Sequence, residues 1–196
     1  MESFVSRKDR IVASAIDIIS ESGLDSLTTR NLALKENMSE SMLYKYFGGI
    51  DEVLIEVVDR FTQFDDNIKA TVEAKNISYT EKLIEYFDTY ATYYGNYPQI
   101  TALVLNYEEL LHNYHVREKI TKTINLKNDT VEGLIQGAID AGEIVDYYTA
   151  KELLLLLYGT VYSILVNRRV RYQEMDLKDE LNQLLHKTLD GIRKRH

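Results

Sequence analysis

Residues 39–47 read SESMLYKYF, and Gly48-Gly49 follow. Two serines, two tyrosines and a lysine crowd one short segment. Seryl and phenolic hydroxyls hydrogen-bond to phosphate oxygens, and Lys45 adds a positive charge, so this is the chemistry of a nucleic-acid backbone contact. Met38, Leu43 and Phe47 can supply an apolar inner face. That leaves Ser39, Ser41, Met42, Tyr44, Lys45 and Tyr46 for an outer one. Ordinary packing is the competing reading for Tyr44 and Tyr46, and Met42 suits burial or base contact equally.

A second group is aromatic. Leu83, Phe87, Tyr90 and Tyr94 form one helical stripe, with Tyr86, Tyr93 and Tyr97 to its side. Phe61, Phe64, Leu103 and Tyr107 can face them. An aromatic stripe is ordinarily core. Buried phenols nevertheless need hydrogen-bond partners, and so many in one region suit an apolar cavity with a few polar anchors. An aromatic or flat amphipathic molecule is the ligand such walls suit. A third group is Glu109, His112 and His115. The first two have Glu-x-x-His spacing, but a carboxylate di-metal bundle needs a second such motif and two more glutamates. They read as solvated surface residues, and no metal or other cofactor is expected. The sequence has no nucleophile elbow, phosphate loop or dinucleotide fingerprint, so no enzyme is expected.

The elements that must position these residues are helical almost throughout, without strand-like alternation. A first helix is expected over 7–22, ended by Gly23. Thr28 caps a short helix reaching Lys35. Asn37 and Met38 form a turn, Ser39 caps a third helix ending near Phe47, and a long fourth spans 50–74. Further helices are expected over 79–95, 98–111, 115–141, 149–171 and 177–194. Ser78 with Glu81, and Thr149 with Glu152, match the capping box. This makes an all-α chain of about nine helices: a three-helix head over 1–47 on a helical body over 48–196. Two short helices joined by a tight turn, with a third behind, describe a helix-turn-helix.

Bulk properties narrow the class. The 196 residues carry a net charge of −8, which by itself argues against nonspecific nucleic-acid binding. Residues 1–50 are near neutral, with six Lys or Arg against seven Asp or Glu, and the acidity lies in the rest. The absence of cysteine rules out disulfides and thiolate metal sites and fits a reducing cytoplasm. The N-terminal MESFVSRKDR lacks the apolar core of a signal peptide. The most apolar run, LLLLLYGTVYSILV over 153–166, reads as too short to span a bilayer and as a buried helix.

The stretch ASAIDIISESGLDSLTTRNLALKENMSESMLYKYFGGIDEVL resembles the head of the tetracycline-repressor-like (TetR) family of bacterial transcription regulators. Ala15, Gly23, the Leu32-Ala33 pair and MSESMLYKYF carry the likeness through their spacing. LIQGAIDAGEI followed by TAKELLLLLYGTV is similar to that family's penultimate helices. The resemblance implies a homodimer that binds a double-stranded DNA operator and releases it when a small-molecule effector binds the body. It implies a phosphate contact for Thr28, positions beside the groove for Thr29 and Arg30, and recognition-helix contacts for Ser39, Ser41, Met42, Tyr44, Lys45 and Tyr46. It favours a ligand pocket at Phe61, Phe64, Phe87, Tyr90, Tyr94, Leu103 and Tyr107. The last two helices should pair with their copies, with Leu153, Leu156, Leu157, Val161, Leu181, Leu185 and Leu189 as candidates for core or interface. The fourth helix is then the lever that changes head separation.

Three positions depart from the family pattern. Asn37 stands where glycine is usual, and asparagine tolerates a left-handed backbone. Glu40 stands where lysine is frequent; its carboxylate repels phosphate but can accept from a cytosine amino group. Ile50 replaces a lysine that would contact phosphate. A relative with weak or lost operator binding, acting through protein or ligand, and a helical enzyme or carrier using the tyrosine region, are the alternatives.

Overall fold

The computed structural model describes residues 6–171 and 176–194. Among them the chain is all-α: α1 (Arg7–Ser22), α2 (Thr29–Lys35), α3 (Glu40–Leu43), α4 (Ile50–Thr62), α5 (Asp65–Glu73), α6 (Tyr79–Asn96), α7 (Thr101–Leu105), α8 (Tyr107–His112), α9 (Arg117–Asp140), α10 (Ala150–Arg171) and α11 (Leu177–Ile192). The chain divides into two compact units. One runs to Gln63 and resumes over Pro98–Lys122; the other comprises Phe64–Tyr97 and continues from Thr123.

In the first unit α1 packs against α2, α4 and α7. Ile11, Ala15 and Ile19 of α1, Leu32 and Ala33 of α2, Leu43, Phe47, and Val53, Val57 and Phe61 of α4 are buried together. The local chemistry sets the boundaries. Gly23 ends α1 at φ 87°, a conformation that suits glycine. Thr28 accepts from the Asn31 amide at 3.1 Å and Ser39 from the Met42 amide at 3.2 Å, each satisfying a free donor of a first helical turn. Asn37 sits at φ 51°, the left-handed turn that asparagine tolerates.

In the second unit α6 packs against α5 and α11, and α10 against α11. Both expected capping boxes form. Ser78 and Glu81 exchange bonds at the start of α6, as Thr149 and Glu152 do at the start of α10. The Glu143 carboxylate adds a second clamp on α6, accepting from the Thr80 amide and hydroxyl at 2.8 Å each.

Three expectations are corrected. The helix expected over 50–74 is two helices, with a turn at Gln63–Phe64. No glycine or proline marks it; directly beyond it Asp65 is buried, bonded to Tyr90. The helix expected over 98–111 begins as a 3-10 turn and breaks at Asn106. Its side-chain amide bonds back to the Ala102 carbonyl at 2.7 Å, a local bond that competes with helix continuation. The third expectation, that the 153–166 run is too short for a membrane, also changes. The helix containing it has the length and apolarity of a spanning helix, with mean hydropathy 1.3. Its disposition is more telling: Leu153, Leu154, Leu157, Ile164 and Leu165 are buried, while Leu155, Leu156 and Tyr162 are exposed.

Candidate nucleic-acid interface and aromatic core

Helices α2 and α3 with the Asn37 turn form the helix-turn-helix. The α-helical part of the second helix is short, and tight turns continue it: the Lys45 amide bonds to the Met42 carbonyl and the Tyr46 amide to the Leu43 carbonyl. Leu43 and Phe47 are buried beneath it, with Met38 partly covered. The outer residues divide as their chemistry requires. Ser39, Glu40, Ser41 and Lys45 are exposed, Met42 and Tyr44 are 38% and 54% exposed, and Tyr46 is half-buried. Thr28 and Arg30 are exposed and Thr29 is half-buried. Among the described residues no ion pair engages Arg30 or Lys45.

Two side-chain links in this unit had no marker in the sequence. Thr29 donates to Glu40 at 2.7 Å, joining the starts of α2 and α3. Glu36, buried at the end of α2, accepts from Ser14 at 2.7 Å and is paired with Arg10 at 3.5 Å. Ile50 is half-buried at the start of α4. Phe61 and Leu103 are 1% exposed and fill this unit's core, with the Tyr107 ring edge-on to Phe61. His112 pairs with Glu108 at 3.1 Å and His115 with Asp51 at 3.4 Å, while Glu109 is exposed.

In the second unit Phe87, Tyr90 and Tyr94 are buried together with Tyr86. Tyr86 lies 5.0 Å from Tyr90 and Phe87 lies 6.0 Å from Tyr158, between ring centroids. A buried ion pair sits among them. Lys127 approaches Asp65 at 3.4 Å, donates to the Tyr94 hydroxyl at 3.4 Å, and stands 4.7 Å above the Tyr90 ring. Tyr90 donates to Asp65 Oδ1 at 2.7 Å, while Asp65 Oδ2 has no hydrogen-bond partner. Burial pushes the Asp65 carboxyl above its ordinary value, opposed by the Lys127 charge. Burial likewise raises Tyr86, Tyr90 and Tyr94, which stay neutral phenols. Phe64 is 43% exposed, edge-on to Tyr93, and lines an open groove of about 440 Å³ with Ile68 and Val72. Asp65 and Lys127 escaped the sequence reading, although a signal existed. Each is a polar residue at the apolar phase of its helix, Asp65 between Phe61 and Ile68, Lys127 between Thr123 and Val131.

The leucines proposed for core or interface are now sorted. Leu153, Leu157, Leu181, Leu185 and Leu189 are buried within the chain itself. Leu156 is exposed and Val161 half-buried. Leu156 belongs to a face with Leu155, Gly159, Ser163 and Leu184 that lines a groove of about 630 Å³. Leu155 and Tyr162 lie on α10, which is apolar on nearly every side, so periodicity gives no direction there.

Residues 11–57 match the family model described as "Bacterial regulatory proteins, tetR family". The fatty acid metabolism regulator protein of Bacillus subtilis (strain 168) is 20% identical over 93% of this chain and 94% of its own length. The solved structure of FadR from Bacillus subtilis in complex with stearoyl-CoA covers 93% of this chain and 98% of its own, at 20% identity and TM-score 0.73. The ketosteroid transcriptional regulator KstR2 of Mycobacterium tuberculosis covers 98% of both chains at 16% identity and TM-score 0.83. At such identities the structural likenesses show a shared fold.

Proposed function

We propose that the chain, whose residues 11–57 match the tetR family model, is a repressor that a long-chain acyl-CoA releases from a palindromic operator. The observation that carries the operator half is the helix-turn-helix surface. Leu43 and Phe47 are buried beneath it, while Ser39, Ser41, Tyr44 and Lys45 are exposed. Thr28, Thr29, Arg30, Met42 and Tyr46 complete the contact surface.

Two copies are needed to read a palindrome. The exposed face around Leu155, Leu156, Tyr162 and Leu184 is the proposed dimer interface, because an apolar helix face needs cover. A dimer sets its recognition helices about 34–36 Å apart, or a multiple of that. Leu156→Glu places like charges in an apolar contact. It is expected to turn the dimer into a monomer in sedimentation at micromolar concentration, with loss of operator binding. A dimer that survives the substitution would move the interface elsewhere.

The effector half draws on the relatives' fatty acid chemistry and on the second unit. Phe64, Phe87, Tyr90 and Tyr94 offer apolar walls, and Asp65 and Lys127 offer polar anchors. Phe61, Leu103 and Tyr107 serve the first unit as packing. To release DNA, the ligand must bind the non-DNA-binding arrangement better than the other. The test begins with selection from random DNA duplexes at near-physiological salt, followed by titration of the recovered site with stearoyl-CoA. A palindrome whose complex dissociates with stearoyl-CoA supports both halves. A palindrome indifferent to acyl-CoAs of every length overturns the effector, and no enrichment at any salt overturns the operator.

A further inference from the structure

We propose that Glu40 selects one base pair of the operator, its carboxylate accepting a hydrogen bond from the N4 amino group of a cytosine in the major groove. The inference rests on the operator reading above and deepens it. Glu40 is the first residue of α3 and is exposed. In a helix-turn-helix, residues at the start of the second helix meet base edges. A carboxylate there is repelled by the flanking phosphates unless something holds it. Thr29 does so, donating to Glu40 Oε2 at 2.7 Å. The bond spans the two helices of the motif and leaves Oε1 available as an acceptor.

An ionised carboxylate only accepts. Guanine presents N7 and O6 acceptors, and thymine an O4 acceptor beside its methyl group. Adenine sets its N7 acceptor beside the N6 amino group. Cytosine offers a donor without a neighbouring acceptor. Glu40 therefore favours cytosine and disfavours the other three. The hydroxyls of Ser39, Ser41 and Tyr44 both donate and accept, so they discriminate less sharply. In this segment Glu40 is the exposed side chain that only accepts, so it is the one whose chemistry suits cytosine.

The test compares operators selected by the wild-type full chain and by Glu40→Gln. The wild type is expected to enrich a palindrome with cytosine at one symmetric position, and to bind duplexes altered there roughly tenfold or more weakly. Glu40→Gln should move that position to adenine, whose N7 and N6 suit an amide, and leave the other positions alone. Thr29→Val keeps the side-chain shape but removes the donor, and should blunt the cytosine preference at the same position. Identical base preferences for wild type and Glu40→Gln overturn the proposal. Should the variant fail to fold, N4-methylcytosine, which can keep its Watson–Crick hydrogen while the methyl group replaces the one facing the major groove, is placed at each operator cytosine in turn and offered to wild-type protein. Undiminished binding to every such duplex overturns the proposal, and weakening at one symmetric position supports it. A wild-type pool without any palindrome is a different failure: it removes the operator reading, and this inference with it.

Discussion

Tyr44→Ala is expected to lower operator affinity by about a hundredfold while leaving the thermal midpoint almost unchanged. The phenol is 54% exposed on the outer face of the helix-turn-helix, so truncating it opens no cavity. Surface changes of that kind usually stay within about 0.5 kcal/mol of stability. A hydrogen bond to a charged group contributes about 1.5–3 kcal/mol. A dimer loses one on each half-site, so about 3 kcal/mol is the conservative sum, which corresponds to roughly a hundredfold in Kd. Tyr44→Phe separates the hydroxyl from the ring and should retain only the apolar part of the contact. Fluorescence anisotropy on a labelled operator reads the affinity, and a thermal melt reads the fold. A lowered melting temperature with normal DNA binding would make Tyr44 a packing residue.

Lys127→Met carries the largest expected effect on stability, a loss of about 3–5 kcal/mol, as for other buried pairs deprived of one partner. Against a typical total of about 5–15 kcal/mol, that is enough to unfold much of the population on mild heating. Lys127 is 8% exposed and Asp65 is 5% exposed. Removing the ammonium leaves Asp65 buried with only the Tyr90 hydroxyl, while Oδ2 already has no partner. Asp65→Leu combined with Lys127→Met removes both charges. It should recover most of the loss, because two apolar side chains need no solvation.

The pH dependence has a definite sign. Burial already raises the Asp65 pKa above its ordinary 3.8, and loss of Lys127 raises it further. An acid whose folded-state pKa lies above its unfolded value favours the fold in its neutral form. That contribution is complete below the unfolded pKa and is lost as pH rises through the folded pKa. Relative to wild type, Lys127→Met should therefore regain stability as pH falls from neutral toward 4. Chemical denaturation across that range checks it. A deficit that is constant with pH would mean that Asp65 remains ionised without its partner.

Much of the head was legible because its determinants are local. Ser39 accepts from Met42 and Thr28 from Asn31, each within one helical turn. Asn37 and Gly23 adopt the positive φ that their residue types permit. The burial of Leu43 and Phe47 beneath an exposed Tyr44 and Lys45 follows from spacing along the same short segment. These features depend on bonds that a few neighbouring residues can make alone, so the sequence determined the helix-turn-helix and most of the helix boundaries.

The tertiary structure decided what depends on partners far along the chain. The break before Asp65 has no local breaker, and Asp65 meets Tyr90 and Lys127 only when α5, α6 and α9 come together. The fixing of Glu40 requires Thr29, which lies on the other helix of the motif. Along α10, leucines follow one another with too little polarity between them to mark an inside. In the folded chain Leu153 and Leu157 are buried, while Leu155 and Leu156 stay exposed. The physical reason is common to all three. A helical turn closes its hydrogen bonds within itself, whereas burial and ion pairing are properties of a side chain's neighbours, and those neighbours exist only in the folded chain.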